Sequence, residues 1–265
     1  MKLINKFSSK VNVFFLFLFF IPCYFYGATP KIEVFVRHCH FSAVSQNKTR
    51  FSWFSREECH KNLLRTVNKD LANITFFLDT FYPMNGEHFI KRQQGYPIIE
   101  IKAGSEAKSF LQLIDYIAGL SLDPETIIYI VEDDYLHRAN WTEILLEGFS
   151  VPEVSYVTLY DHKDKYFYPM YHTLTSKIYH TNSCHWRVTP STTNTYAMKF
   201  KTFMQDLAIH REYSLNLDVT ADHAKFCMLG SLGKFLISSI PGWSTHLEVE
   251  YASPCIDWEK VQKGL

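Results

Sequence analysis

The stretch Thr126-Ile127-Ile128-Tyr129-Ile130-Val131-Glu132-Asp133-Asp134-Tyr135 decides the reading of the chain, because an apolar run ends in three consecutive carboxylates. Set between Asp123-Pro124 and those acids, the run fits a strand buried on both faces, as in parallel α/β sheets. Such sheets place ligand sites at the carboxyl ends of their strands. Adjacent carboxylates repel one another unless a cation is brought to them. Hard divalent ions prefer oxygen ligands, and Mg²⁺ often takes one or two carboxylates and leaves the rest of its shell to substrate phosphates. The triplet therefore reads as a metal and phosphate site; the plainer alternative is acids placed to cap a following helix.

Working outward, Lys31 to His38 reads as a first strand ending at the basic pair Arg37-His38, and Asn73 to Asp79 as a second ending in an acid. Arg56 to Val67 supports a helix between them, which makes a β-α-β unit with parallel pairing and a right-handed crossover. Pro97 to Ile101 is a third strand. Gly104-Ser105-Glu106 opens a helix through Leu120, in which Phe110, Leu111, Leu113, Ile114 and Ile117 recur at helical spacing. After the acidic strand come a helix over Trp141 to Phe149 and a strand over Val154 to Leu159. The alternation then weakens: short strands separated by polar turns over 176–200, helices over Phe200 to His210 and Ala221 to Leu229, and a late strand, Phe235 to Ile240, before Pro241-Gly242-Trp243-Ser244-Thr245-His246.

The 265 residues suffice for one sizeable domain. A formal net charge of zero removes the electrostatic argument for a nucleic-acid binder, which needs a basic face. Cysteines at 23, 39, 59, 184, 227 and 255 show neither CxxC nor metal-finger spacing and imply no complete disulfide framework. At the N-terminus Lys2, Lys6 and Lys10 precede an apolar run from Val11 to Tyr26, the layout of a signal peptide or short signal anchor over residues 1–28. Phe25 and Tyr26 are too bulky for the small-residue cleavage position, which favours an uncleaved single-pass anchor. The lysines would then keep the cytoplasmic side and send the remaining chain to the lumen in a eukaryote; in a bacterium the side is left open.

A strand ending Glu-Asp-Asp, followed by an aromatic and a Trp-containing helix, resembles the metal-binding D-x-D motif of GT-A fold, nucleotide-sugar-dependent glycosyltransferases, closest to inverting members that write it E-D-D. The resemblance implies a single catalytic domain over residues 29–265: a Rossmann-like, mostly parallel sheet flanked by helices that binds the nucleotide, then a more irregular C-terminal acceptor region. By motif, Asp134 would bind Mn²⁺ or Mg²⁺ bridging the donor diphosphate, with Glu132 and Asp133 at the donor's ribose and sugar. The metal would neutralise charge on the departing nucleoside diphosphate. Asp222, in Thr220-Ala221-Asp222-His223, is the candidate base for the acceptor hydroxyl, with Asp218 second. His246 resembles the C-terminal second ligand of metal or diphosphate, and Glu248 or Glu250 could serve equally. Arg37, His38 and Asp79, at strand ends, are expected at the nucleotide. Ser183 to Arg187 and Thr189 to Asn194, rich in donors and offering Trp186 as a stacking face, are expected around a glycan, lipid or protein acceptor. The anchor fits a membrane-attached enzyme of this kind.

Two other classes compete. A metal-dependent phosphoesterase could draw a two-metal centre from the triplet with Asp161, His162, Asp222, His223 and His246. A membrane-anchored carbohydrate-binding domain would explain the aromatics but not three acids at the end of a buried strand.

Overall fold

A computed structural model describes residues 32–83, 86–92 and 94–265. Its first half runs β1 (Ile32–Cys39), α1 (Arg56–Thr66), β2 (Ala72–Asp79), β3 (Ile98–Ile101), α2 (Glu106–Ala118), β4 (Ile127–Glu132), β5 (Tyr135–His137) and α3 (Trp141–Gly148). The second half continues with β6 (Val154–Thr158), β7 (Ile178–His180), β8 (His185–Val188), β9 (Tyr196–Lys199), α4 (Phe200–Glu212), α5 (Asp222–Ser231), β10 (Phe235–Ile240), β11 (Ser244–His246) and α6 (Trp258–Lys263). Local signals place the first helices. Ser55 accepts from the Glu58 N–H and Ser105 from the Lys108 N–H, so each helix starts on a side-chain cap.

Nine strands form one sheet in the order β3-β2-β1-β4-β9-β6-β10-β8-β7. β1 to β4 pair in parallel, as do β6 and β10, while β9 and β8 run against their neighbours. The result is a mostly parallel α/β sheet flanked by helices, the GT-A-like arrangement. β4 lies inside it, and its residues divide between the two faces. Ile127, Tyr129 and Val131 join one core, together with Trp141 and Leu145 of α3; Ile128 and Ile130 join the other, with Phe110, Leu113 and Ile114 of α2. An apolar run with no polar face is what such a position demands.

Register carries the site's residues into place. Parallel pairing sets Arg37 beside Glu132 and Cys39 beside Asp79. A separate two-stranded ribbon pairs β11 with β5 so that His246 stands opposite Tyr135, next to the acid triplet. Sequence periodicity did not foretell β5, β11 or α6, each too short to show a period.

Three expectations change. The single-pass membrane localisation is corrected: among the described residues no helix is long and apolar enough to cross a membrane, and residues 1–28 lie outside them. Trp186 is fully buried, with its indole N–H donated to Thr181 Oγ1 at 3.0 Å, so it packs the core and offers no sugar a face. The segment Thr189 to Asn194, expected around the acceptor, is built into the interior: Thr189, Ser191, Thr192 and Asn194 are buried, as is Thr195 after it.

Gly148 closes α3 against this core. A Cβ added there would lie 2.8 Å from Val157 Cγ1 and 2.9 Å from the Trp186 ring. Gly148→Ala is therefore expected to lower stability by about 1–3 kcal/mol in urea denaturation through overpacking. A variant within about 0.5 kcal/mol of wild type would contradict this packing.

Candidate active site

A cavity of about 400 Å³ opens at the carboxyl ends of β1, β2 and β4, where a parallel sheet places ligands. Arg37, His38, Asp79, Glu132, Asp133 and Asp134 all line it, so six residues expected at the donor converge from three strands. Two of them have narrower roles than expected. Asp79 spends its carboxylate on backbone N–H groups, from Phe81 and Ala103 at 3.0 Å and Gly104 at 2.8 Å. It thereby fastens the rim; Gly104 sits at φ +78°, where a Cβ would meet the Phe81 ring at 2.7 Å. His38 is buried among Phe76, Phe89, His60 and His88. Burial first, then the neighbouring histidines and Arg56, push its pKa well below the usual range, so it is neutral.

The triplet is met by four cations. Arg37 lies 3.3 Å from Glu132 and 2.7 Å from Glu106. Arg56 Nε donates to Asp133 Oδ1 at 3.0 Å, and Arg50 Nη2 to Asp134 Oδ2 at 2.7 Å. Lys48 Nζ stands 4.0 Å from that same oxygen. The charge states that follow are unequal. Burial raises Glu106, but Arg37, the Thr220 N–H and Asn194 outweigh it and hold the carboxyl at about 2. Burial pushes Glu132 up to about 8 against the pull of Arg37. For Asp134 burial is overcome by His246, Lys48 and Arg50, which keep it well below the carboxylate range.

Asp134 and His246, 112 residues apart in sequence, come together with Oδ2 and Nε2 separated by 3.0 Å. That contact is a hydrogen bond, and two adjacent ligands of an octahedral ion with bonds of about 2.1 Å would stand about as far apart, so these two residues would suit Mg²⁺ or Mn²⁺. Glu248 Oε2 is 3.6 Å from the other ring nitrogen, Nδ1, on the far side of the imidazole from Asp134 and beyond hydrogen-bond distance. Among the described residues no group of three or more His, Cys, Asp or Glu side chains is arranged to hold a metal by itself. Asp161, required by a two-metal hydrolase, is instead tied to Arg187 at 2.6 Å and to the Tyr166 hydroxyl at 2.6 Å.

Asp222 does not line the cavity, whereas Asp218 does. Asp222 accepts from Lys225 Nζ at 3.0 Å, and burial pushes it up to about 6 despite that lysine. A chain of contacts joins it to the triplet: Lys225 to Asn194 at 2.7 Å, Asn194 to Glu106 at 2.8 Å, Glu106 to Arg37 and Arg37 to Glu132. Thr195 Oγ1 accepts the Glu132 N–H at 3.1 Å, so the segment expected at the acceptor forms the wall behind the triplet. Lys48, Arg50, Arg56, Glu106 and Lys225 were not singled out from sequence, and Asn194 was expected at the acceptor. Only Glu106 carried a signal, as an acid in the first turn of a capped helix.

Fold and site together define a GT-A-like α/β protein with an acid triplet at a strand end and a histidine returned beside it. No protein-family model and no curated protein matches the chain. Among solved structures it is similar to S. aureus TarS 1–349, at 11% identity and a TM-score of 0.47, covering 78% of this chain and 57% of that one. It is also similar to CMP:2-keto-3-deoxy-manno-octonic acid synthetase complexed with CTP, at 14% identity and a TM-score of 0.45, covering 88% and 97% of the two chains. A third likeness is to the galactosyltransferase LgtC in complex with donor and acceptor sugar analogues, at 8% identity and a TM-score of 0.42, covering 78% and 72%. These are likenesses of outline, and the chemistry of the site rests on its own side chains.

Glu106 gives the network a pH signature. Its folded pKa of about 2 lies below its ordinary 4.5, so its contribution is fully present above about 4.5 and is lost as pH falls toward 2. Glu106→Gln is expected to cost about 3 kcal/mol at neutral pH, and the gap to wild type should close as pH falls through that window. Urea denaturation at a series of pH values measures it; a gap independent of pH would refute the assignment.

Proposed function

We propose that this protein is a nucleotide-sugar-dependent glycosyltransferase that passes a sugar to an acceptor hydroxyl with inversion. The observation that carries the reading is the convergence, on one cavity of about 400 Å³ at three parallel strand ends, of carboxylates suited to sugar and ribose hydroxyls and cations suited to phosphate. A carbohydrate-binding domain has no use for that charge, and a two-metal hydrolase lacks its ligands among the described residues.

The donor would lie with its nucleoside toward β1 and β2 and its sugar toward Glu132 and Asp133. Mg²⁺ or Mn²⁺, held by Asp134 and His246, would supply Lewis-acid stabilisation of the leaving diphosphate. Arg50 holds Asp134 in position through its 2.7 Å contact, with its other nitrogen on the Leu247 carbonyl at 2.8 Å. Asp222 takes the proton from the acceptor hydroxyl as that oxygen attacks the anomeric carbon on the face opposite the diphosphate. A pKa of about 6 leaves Asp222 ionised at neutral pH yet more basic than an ordinary aspartate. Lys225, fully buried, fixes its orientation.

Two experiments test this. Incubation with UDP-, GDP- and CMP-sugars and Mn²⁺ should release the nucleotide with wild type and not with Asp134→Ala. Release of pyrophosphate from CTP and a sugar acid would instead make the protein a nucleotidyltransferase, and no turnover with any donor would sink the reading. In the pH profile, kcat should rise as Asp222 loses its proton, with a midpoint near 6. Asp222→Asn should remove that limb with a loss of about 10²–10⁴-fold, while Asp218→Asn keeps it; the reverse would hand the base to Asp218.

A further inference from the structure

Most cations around the triplet are already committed. Arg37 is divided between Glu106 and Glu132, and Arg56 is on Asp133. Arg50 serves Asp134, Ser45 and the Leu247 carbonyl. Lys48 differs. Its ammonium has three N–H donors, its one close contact is His246 Nε2 at 3.1 Å, and Asp134 Oδ2 lies 4.0 Å away. It lines the cavity with its side chain 27% exposed, at the end of the segment 41–48 that forms one wall.

Building on the glycosyltransferase reading, we infer that Lys48 is the residue that binds the donor diphosphate, and that until the donor arrives its charge opposes a divalent ion beside Asp134 and His246. The two halves share one geometry. His246 Nε2 stands 3.0 Å from Asp134 Oδ2 and 3.1 Å from Lys48 Nζ; its N–H donates to the carboxylate, so the ammonium faces the ring without a hydrogen bond from it. An ion beside Asp134 and His246 repels the ammonium, and two phosphates entering the cavity give its three donors new acceptors. Without nucleotide, Lys48 is a positive charge beside the metal position and opposes the ion; with nucleotide, it and the ion act on the same diphosphate.

Removing Lys48 should therefore move two affinities in opposite directions. In EDTA, titration calorimetry of Lys48→Ala with UDP, GDP and CDP should show the diphosphate that binds wild type weakened by about 10- to 100-fold, while affinity for its nucleoside monophosphate falls less. Without nucleotide, the same variant should bind Mn²⁺ several-fold more tightly than wild type by electron paramagnetic resonance. Lys48→Arg should keep most of the diphosphate affinity, and the exposed Lys61→Ala should alter neither. A merely structural lysine would weaken both ligands, so weakening of both overturns the inference, as does unchanged diphosphate affinity or unchanged Mn²⁺ affinity. In those cases the glycosyltransferase reading survives; if no nucleotide binds wild type with or without Mn²⁺, both fall.

Discussion

Everything around the cavity depends on keeping three adjacent carboxylates at the end of a strand whose other side chains are buried. Charge in such a place is costly unless it is paired and hydrogen-bonded. The fold meets this by bringing cations from sequence-distant elements: Arg37 by register from β1, Lys48 and Arg50 from the segment between β1 and α1, and Arg56 from the start of α1. The long β1–α1 connection is thus the charge partner of β4.

The same constraint explains the 189–195 segment. A buried stretch of Thr, Ser and Asn must satisfy its own polar atoms, and here three of its residues do so against the site. Thr195 receives the Glu132 N–H, Thr193 meets the Tyr135 hydroxyl, and Asn194 bridges Glu106 and Lys225. Because Asn194 touches both the acid that holds Arg37 and the lysine that holds Asp222, the donor side and the proposed base share one scaffold. A change at Asn194 would disturb both at once, which separates it from residues that serve a single ligand.

How much of this was legible in the sequence follows from the range of each signal. The alternation of strands and helices was readable because its cause is local, in apolar spacing and in caps such as Ser55 and Ser105. The acid triplet was readable because three carboxylates after a buried strand are rare without a purpose. Asp134 and His246 were named together through a family resemblance, and the β5–β11 ribbon is the physical reason they meet. Lys48, Arg50 and Arg56 were missed because nothing in the pattern of a basic, aromatic loop says which carboxylates it will face. Trp186 was misplaced for a related reason: a Trp between His and Arg looks exposed, and only the sheet shows that its strand turns that side chain inward, beneath Gly148.

The unequal charge states within the triplet have a consequence for recognition. At Asp134 the pull of His246, Lys48 and Arg50 overcomes burial and keeps the carboxyl low, whereas at Glu132 burial prevails over Arg37 and pushes it up to about 8. An ionised carboxylate can only accept hydrogen bonds; a protonated one can also donate. Burial is the largest cause at Glu132; Asp134 and Glu106 add to it, and Glu106 takes the shorter contact with Arg37, 2.7 Å against 3.3 Å. The residue that secures α2 to β1 thereby loosens the hold of Arg37 on one member of the triplet. Three acids in a row are in this way three different groups, and their environments, more than their identities, divide the work among them.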